Sequence, residues 1–435
     1  MNRRSFLSLA AVPRLGFGAN LLANDYVVLR RSNDPARIQV YSPGLARLAS
    51  GRLVATCDVS TPAGMTSKGA LLESGKRWMH EFYTSDDHGR TWTLRGEAPM
   101  MHARPFEAGG SVYVLGQAGD LTIVRSRDRG ETWSTVTRLT EGQKWHQAPC
   151  NVHYANGRVY LVMERVTDPS FKGWPVSVLA PVVMSAPIDA DLTQRGSWTF
   201  SNELTFAEAV RQAGPPHLIG APFFRYGRTV SGPGDSRTMA PMGWLETNLV
   251  QFTDPDHVWY DPSLCTFHLW MRSHTGTSNL ACIAKAVESE DRRTITVSLE
   301  RAPSGEPMLY VPCPGGHMKF HIVFDSKMRL YWLVSTQSTD SMTRPERLPA
   351  ERYNLPNNER HRLALHFSKN CVDWCYAGLV AVGGSARQAR HYASAVIDGD
   401  DLHVLSRSGD ERAITAHDGN MITFHTVRRF RSLVY

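Results

Sequence analysis

The chain alternates apolar and polar residues over short stretches, and the stretches are separated by turns built around Gly, Asp or Asn. Alternation with a period of two is typical of β-strands that bury one face, whereas the 3.6-residue period of an amphipathic helix is scarcely seen. The same order of strand, turn and strand recurs at residues 43–55, 105–115, 149–163, 249–271, 318–334 and 393–405. The pattern therefore predicts an all-β protein assembled from repeated hairpins.

An eight-residue motif, Ser-x-Asp-x-Gly-x-Thr-Trp, occurs at residues 85–92 and again at residues 126–133. Its Asp can accept backbone N–H groups within a turn, its Gly supplies a positive φ, and its Trp can pack beneath a hairpin. This motif is the Asp-box, and less regular copies follow at residues 185–198 and 368–374. Because these residues serve the turn, none of them is a catalytic candidate.

Six hairpins with repeated turn motifs favour six four-stranded blades around an axis, which is a six-bladed β-propeller. Residues 26–30 form a further apolar strand that can complete the last blade and close the ring. We interpret residues 25–435 as one propeller domain with rim insertions near 168–180, 205–245 and 336–358. Loops of this length are more often functional than mere linkers.

Composition and charge narrow the possible functions. The 435-residue chain is 42% hydrophobic and 20% charged, which is ordinary for a globular protein, and no apolar run is long enough to span a membrane. A formal net charge of +7 suits an anionic ligand, but the nucleic-acid recognition motifs are missing. The seven Cys and the 17 His show no metal-binding spacing, so we expect neither a metal nor a cofactor.

The first residues predict export. Arg3 and Arg4 precede Ser-Phe-Leu and a short apolar stretch, which resembles a twin-arginine signal. We therefore interpret residues 1–24 as an export signal and expect a periplasmic or secreted bacterial protein. The alternative is a short basic leader without a targeting role.

Over nearly its whole length after residue 25, the chain resembles the sialidase superfamily, whose members are six-bladed propellers with Asp-boxes. The resemblance implies an axial pocket in which arginines bind a substrate carboxylate, a Tyr paired with a Glu is the nucleophile, and a loop Asp is the acid/base. A neutral phenol activated by Glu is repelled less by that carboxylate than an anionic nucleophile would be. Arginine supplies a permanent charge with bidentate geometry.

Two stretches are similar to those that hold the nucleophilic pair. Residues 390–399 read Arg-His-Tyr-Ala-Ser-Ala-Val-Ile-Asp-Gly, and the resemblance implies that Tyr392 is the nucleophile. Residues 246–250 read Glu-Thr-Asn-Leu-Val and imply that Glu246 is the catalytic Glu.

Two arginines can be assigned by the same resemblance. Arg272 ends the hairpin that follows Glu246, where the superfamily carries its second arginine. Arg360 precedes the irregular Asp-box at residue 368 and matches the third arginine, with Arg362 as the reserve.

The chain departs from the superfamily at two positions. Tyr41 stands where the first arginine belongs, and residues 61–69 contain no Asp to act as the acid/base. Asp58, at the preceding strand end, could replace that Asp only if the loop is rearranged. We therefore expect a changed substrate or a changed acid/base, and poor turnover of N-acetylneuraminic acid glycosides.

The starts of the innermost strands supply replacement candidates. Histidine titrates near neutral pH, so His146, His317 and His391 are candidates for the acid/base, although each is about as compatible with a packed structural residue. Arg104 and Arg390 hold similar positions and are candidates for substrate binding, as is Tyr41. His102 also lies at such a strand start.

Together these interpretations predict an exo-glycosidase that hydrolyses a terminal acidic or modified sugar from a glycan or polysaccharide. A propeller polysaccharide lyase or a non-catalytic glycan-binding protein is the alternative, because either could use the same His, Arg and Tyr residues. The expected partner is a glycan, with no nucleic acid and no integral membrane segment, and the oligomeric state is left open.

Overall fold

The computed structural model describes residues 20–23, 25–72, 74–171, 174–214, 230–231, 238–239, 242–344, 347–348 and 359–435. Within these residues, six antiparallel sheets are arranged as the blades of a six-bladed β-propeller. The predicted all-β class and propeller architecture are thus confirmed. Of the predicted export signal at residues 1–24, only residues 20–23 are described. Within the predicted rim insertions, residues 172–173, 215–229, 232–237, 240–241, 345–346 and 349–358 lie outside the described residues.

The blades are numbered in chain order, and the innermost strand of each is named first. Blade 1 contains Gln39–Arg47, Leu53–Pro62, Lys76–Ser85 and Thr93–Ala98, with Ala70–Leu71 beside the third strand. Blade 2 contains Met101–Ala108, Ser111–Ala118, Asp120–Ser126 and Thr137–Arg138. Blade 3 contains Trp145–His146 and His153–Ala155, both paired with Arg158–Val166, and then Leu179–Pro187 and Thr199–Phe200.

Blade 4 contains Gly243–Val250, Thr266–His274, Leu280–Glu288 and Ile295–Ser298, with Tyr310–Pro312 beside the third strand. Blade 5 contains His321–Asp325, Leu330–Thr336, Arg362–Ser368 and Cys375–Val382. Blade 6 contains Arg390–Asp398, Asp401–Ser408, Met421–Val427 and Tyr26–Arg31. Two short hairpins lie outside the blades, Val230–Ser231 with Thr238–Met239 and Glu300–Arg301 with Pro307–Met308.

The outermost strand of blade 6 comes from the other end of the chain. Tyr26–Arg31 pairs antiparallel with Met421–Val427, as the apolar pattern of residues 26–30 predicts. Hydrogen bonds between distant parts of the chain therefore close the ring.

The hydrophobic core lies between neighbouring blades. Trp244 and Phe267 of blade 4 pack against Tyr160 of blade 3. Trp332 of blade 5 belongs to one cluster with Leu402 of blade 6. Because both faces of most strands are covered by a neighbouring blade, the packing fixes the positions of the innermost strands around the axis.

The two regular eight-residue turns have the same hydrogen bonds. In each, the Asp accepts bonds from the backbone N–H and the hydroxyl of the Thr four residues later, at 2.5–2.9 Å. In each, the Ser hydroxyl accepts a bond from the Gly N–H at 2.7–2.9 Å. Trp92 packs on Phe424, and Trp133 packs on Phe82. The motif residues hold the blade edges together, in keeping with a structural role.

Short helices lie in the loops. The α-helix Phe206–Ala213 begins at Thr205, whose side chain accepts a hydrogen bond from the Glu208 N–H, and Phe206 packs on Trp244. Four 3-10 helices lie in fully described segments, at Ala63–Met65, Pro175–Val178, Arg195–Ser197 and Phe430–Leu433. None of the helices in the described stretches is long and apolar enough to cross a membrane.

A stability prediction follows from the first Asp-box. Gly89 has φ +83°, and a Cβ at this position would lie 2.1 Å from the Phe424 ring. Gly157 has φ +68° but faces open space. Gly157→Ala should therefore cost about 1–2 kcal/mol of unfolding free energy for the backbone alone, and Gly89→Ala about 1–3 kcal/mol more for the clash. Urea unfolding measures both losses, and equal losses would contradict the packing described.

Candidate active site

The same backbone irregularity occurs in four innermost strands. Each carries a β-bulge near its start, and the bulged residues are Ser42, His102, Glu246 and Tyr392. All four have φ between +45° and +59°. For a residue with a Cβ this conformation costs of the order of 1–3 kcal/mol, and such strain is concentrated at functional sites. All four residues line one cavity at the same end of the axis.

The cavity has a volume of about 430 Å³, which is within the usual range for a small-molecule site. Its lining residues are Tyr41, Ser42, Trp78, His102, His146, Ala148, Trp174, Glu246, Arg272, His274, Arg360, Tyr392, Arg407 and His417. The structure therefore brings together Glu246, Arg272, Arg360 and Tyr392, which lie far apart in the sequence.

Arg272 joins the two residues assigned as the nucleophilic pair. Its Nη1 donates hydrogen bonds to the Tyr392 hydroxyl at 2.8 Å and to Glu246 Oε2 at 3.2 Å. Its Nε donates to the backbone carbonyl of His317 at 3.0 Å, which fixes the plane of the guanidinium. The Tyr392 hydroxyl and the Glu246 carboxylate therefore share one nitrogen of Arg272. One buried arginine thus places a phenol and a carboxylate side by side.

The surroundings set the protonation states of this pair. Burial, and then the charge of Glu246, raise the pKa of Tyr392, so its phenol is neutral. Burial opposes ionisation of Glu246, but Arg272 and the hydrogen bond from Tyr392 outweigh it, and the pKa of Glu246 lies below its ordinary value. A neutral phenol beside an ionised carboxylate is the combination that a base-assisted tyrosine nucleophile needs.

Two further arginines lie on the cavity around a buried histidine. His391 Nδ1 is 3.0 Å from Arg360 Nη1, and His391 Nε2 is 3.1 Å from Arg407 Nε. The Arg407 guanidinium lies 3.9 Å from the centre of the Tyr392 ring and 5.1 Å from that of Tyr41. Its Nη2 is buried and has no hydrogen-bond partner among the described residues. Arg407 therefore adds a third cation to the cavity.

Aromatic rings form the opposite side of the cavity. Tyr41 stacks on Trp78 with centroids 5.0 Å apart, and the edge contacts from Trp78 to His102 and from His102 to His146 are 5.6 and 5.2 Å long. The Tyr41 hydroxyl donates a hydrogen bond to Asp418 at 2.7 Å. The cavity thus has a cationic side on blades 4 to 6 and an aromatic side on blades 1 to 3, an arrangement suited to a ring that bears an anionic group.

Three of the predicted catalytic residues do not line the cavity. Asp58 is fully buried, and it accepts hydrogen bonds from His80 Nδ1 at 2.6 Å and from the His102 backbone N–H at 2.9 Å, so it supports the bulge of blade 2. His317 contributes its carbonyl to Arg272. His391 lies beneath the arginines, and burial together with Arg407 and Arg360 holds its pKa well below the ordinary value. These three residues support the cavity wall and do not reach its interior.

Two predicted substrate-binding arginines also lie elsewhere. Arg104 Nη2 donates to the Val162 carbonyl at 2.8 Å, and Arg104 lines a second cavity of about 470 Å³ formed by the downstream parts of the innermost strands. Arg390 Nη1 donates to the carbonyls of Ala389 and Gly409. Both side chains are occupied by backbone carbonyls because alternation along the strand points them away from the candidate site.

The sequence analysis missed Arg407, although a signal for it exists. Arg272 pairs with Leu245, the residue before the bulge of blade 4, and Arg407 pairs with His391, the residue before the bulge of blade 6. The two arginines therefore occupy equivalent positions on the second strands of their blades. Superposing the hairpins of the blades on one another would have found it.

Among the described residues, one cluster outside the candidate site contains residue types that bind metals. His88, Asp398 and His403 place their ligand atoms within 4.8 Å of one another. Asp398 already accepts hydrogen bonds from Arg47 at 2.5 Å and His88 at 2.6 Å, and these bonds account for the cluster. None of the three residues lines the candidate site.

Comparisons with known proteins support the fold. No known family model matches the chain, and no curated protein matches it. A protein of unknown function from Dyadobacter fermentans DSM 18053 is 11% identical over 93% of this chain and 98% of its own, with a TM-score of 0.53. The Hadza microbial sialidase Hz136 is 14% identical over 94% of this chain and 69% of its own, with a TM-score of 0.54.

An α-L-arabinofuranosidase from Fusarium graminearum is 11% identical over 93% of this chain and 98% of its own, with a TM-score of 0.48. Of the named enzymes, the sialidase has the higher TM-score. At these identities the likeness concerns the fold alone, and function has to be argued from the site.

Proposed function

We propose that the protein is an exo-acting glycoside hydrolase that removes a terminal acidic or modified sugar from a glycan or polysaccharide. The observation that carries this proposal is the contact of Arg272 with both Tyr392 and Glu246 on the wall of an axial cavity. Glu246 would accept the phenol proton as the Tyr392 oxygen attacks the anomeric carbon, and water would then release the sugar from Tyr392. Two displacements at one carbon retain the anomeric configuration.

The charge of the cavity supports an anionic sugar. Arg272 is compensated by Glu246, whereas Arg407 contacts a neutral histidine and a tyrosine ring, and its Nη2 has no hydrogen-bond partner among the described residues. The cavity therefore has excess positive charge where a carboxylate or sulfate would be bound. Tyr41 stands where the first of three arginines is expected, and Arg407 supplies a third arginine from blade 6 instead. N-acetylneuraminates therefore belong in the substrate panel beside uronates and sulfated sugars.

The first test is a panel of 4-methylumbelliferyl glycosides of N-acetylneuraminate, glucuronate, galacturonate and sulfated galactose. Hydrolysis with retention, followed by NMR of the released sugar, is the expected result. A fluorinated analogue of the substrate that is turned over should leave a covalent sugar on Tyr392, which mass spectrometry can locate. An inverted product would contradict the tyrosine nucleophile, an unsaturated uronate would indicate a lyase, and binding without any product would indicate a glycan-binding protein.

Arg407 can be tested separately as an anion-binding residue. Arg407→Met should lower kcat/KM for the anionic substrate about 10- to 100-fold, mainly through KM, because a hydrogen bond to a charged group contributes about 1.5–3 kcal/mol. Arg431→Met removes an arginine that pairs with Asp325 away from the cavity, and it is the matched control. If both variants have the wild-type KM, Arg407 does not bind the anion.

A further inference from the structure

The proposed hydrolysis requires a proton donor for the leaving oxygen, and this inference rests on that proposed function. Residues 61–69 contain no acid, and Asp58 does not line the cavity. Among the residues that the structure describes, the ionisable residues of the cavity wall besides Glu246, Tyr392 and the arginines are Tyr41, His102, His146, His274 and His417. The proton donor is therefore sought among these histidines, since Tyr41 is held by Asp418.

Three of the four histidines are held in the neutral form. Burial lowers the pKa of His102 to about 4, and burial also lowers the pKa of His417 to about 4. Burial, Arg272 and Arg360 hold the pKa of His274 well below its ordinary value. A histidine that is neutral at pH 7 is a very weak acid and a poor proton donor to a leaving group. His146 is the remaining candidate.

The orientation of His146 suits a proton donor. It lies opposite Glu164 in the strand pairing of blade 3, and its Nδ1 is 3.9 Å from Glu164 Oε2. Both atoms are buried, and neither has another hydrogen-bond partner in the part of the chain that the structure describes. The His146 side chain nevertheless remains 25% exposed on the cavity, which leaves Nε2 as its accessible nitrogen.

Glu164 is fixed by the neighbouring blade. Its Oε1 accepts hydrogen bonds from the backbone N–H of Thr247 at 3.1 Å and from its hydroxyl at 3.0 Å. Thr247 directly follows Glu246, so one segment of blade 4 positions both carboxylates. A carboxyl group behind Nδ1 orients an imidazole.

We propose that His146 is the catalytic acid/base of this site and that Glu164 is its positioning residue. In the first step, the Tyr392 oxygen bonds to the anomeric carbon, its proton passes to Glu246, and His146 Nε2 gives its proton to the departing oxygen. In the second step, His146 removes a proton from the attacking water, the bond from Tyr392 to the sugar breaks, and Glu246 returns its proton to Tyr392. The net reaction consumes one water per glycosidic bond.

Leaving-group dependence tests the assignment of His146. With a 4-nitrophenyl and a benzyl glycoside of the same sugar, His146→Gln should slow the benzyl substrate by about 10²–10⁴-fold and the 4-nitrophenyl substrate far less, because nitrophenolate leaves without a proton. Azide should accelerate His146→Ala and yield the glycosyl azide. His153→Gln, which changes another blade 3 histidine that contacts Gln251, is the control. Equal slowing of both substrates without azide rescue would overturn the assignment.

Glu164 is tested first by the environment of the His146 ring, which can be measured without substrate. His146 faces Glu164 and the His102 ring. In NMR spectra of ¹⁵N-labelled histidines, Glu164→Gln should change the ¹⁵N shifts of His146, because the group that faces Nδ1 is altered. The variant should also lower kcat with little change in KM, because a misoriented imidazole still leaves the sugar-binding residues in place. Unchanged His146 shifts and an unchanged kcat would overturn the positioning role. If the wild-type enzyme hydrolyses no glycoside while these shifts change as expected, the proposed hydrolase function fails and the contact of His146 with Glu164 stands.

Discussion

Tyr392→Phe is expected to reduce kcat/KM on the order of 10⁴-fold or more and to leave the fold intact. The variant lacks the oxygen that would attack the anomeric carbon, and neither Arg272 nor Glu246 can replace it. The ring still packs with Ala148 and Met318, so the cavity wall is preserved. Steady-state kinetics on the best glycoside of the panel measures the loss, and the thermal unfolding midpoint confirms the fold.

A second buried tyrosine provides the control for this variant. The Tyr331 hydroxyl donates to the Gln251 carbonyl at 2.7 Å and lies outside the candidate site. Tyr331→Phe should therefore lose about 1 kcal/mol of stability and no activity. If Tyr392→Phe keeps more than a tenth of wild-type activity, Tyr392 is not the nucleophile.

Glu246→Gln should lower kcat about 10²–10⁴-fold, because the amide cannot accept the proton of Tyr392. The pH profile gives a second test. Since the pKa of Glu246 lies below its ordinary value, wild-type activity should persist at acidic pH and fall only as pH drops through that lowered pKa. The residual activity of the variant should lack this acidic limb.

The control for Glu246→Gln is another buried glutamate of this half of the ring. Glu300 pairs with His268 at 2.7 Å and does not line the cavity, so Glu300→Gln should retain the wild-type pH profile. An acidic limb that survives in Glu246→Gln would assign that ionisation to another group.

Local patterns were sufficient to predict the fold. Period-two alternation and the two regular Asp-boxes determine hairpins, and hairpins at steady intervals determine blades. The closing strand at residues 26–30 was predictable because an apolar strand without a neighbouring partner has to pair elsewhere.

The site could be predicted only in part, because its geometry depends on the bulges. Tyr392 and His391 are adjacent, yet the bulge directs Tyr392 to the cavity and leaves His391 beneath the arginines. Alternation counted along a strand cannot locate a bulge, since the extra residue reverses the side on which the next residue lies. Motif similarity identified Tyr392 and Glu246, whereas strand position alone misplaced Arg104.

Which side chains reach the cavity depends on strand pairing. Asp58, Arg272 and Arg407 all lie opposite the residue before a bulge, but Asp58 faces buried partners while the two arginines reach the cavity. The sequence shows these residues, but it does not show the strand register that places each of them opposite the residue before a bulge. Glu164 was overlooked for the same reason, because its importance depends on lying opposite His146.

The closure of blade 6 also determines when the candidate site can be completed during synthesis. Tyr26–Arg31 is made long before Met421–Val427, and it cannot pair until that strand has followed. Blade 6 carries Tyr392 and Arg407, so the proposed nucleophile and one proposed anion-binding residue enter a finished sheet only after this pairing. Such distant pairing makes folding slow. It also means that a chain cut before Met421 lacks the complete sixth blade on which both residues lie.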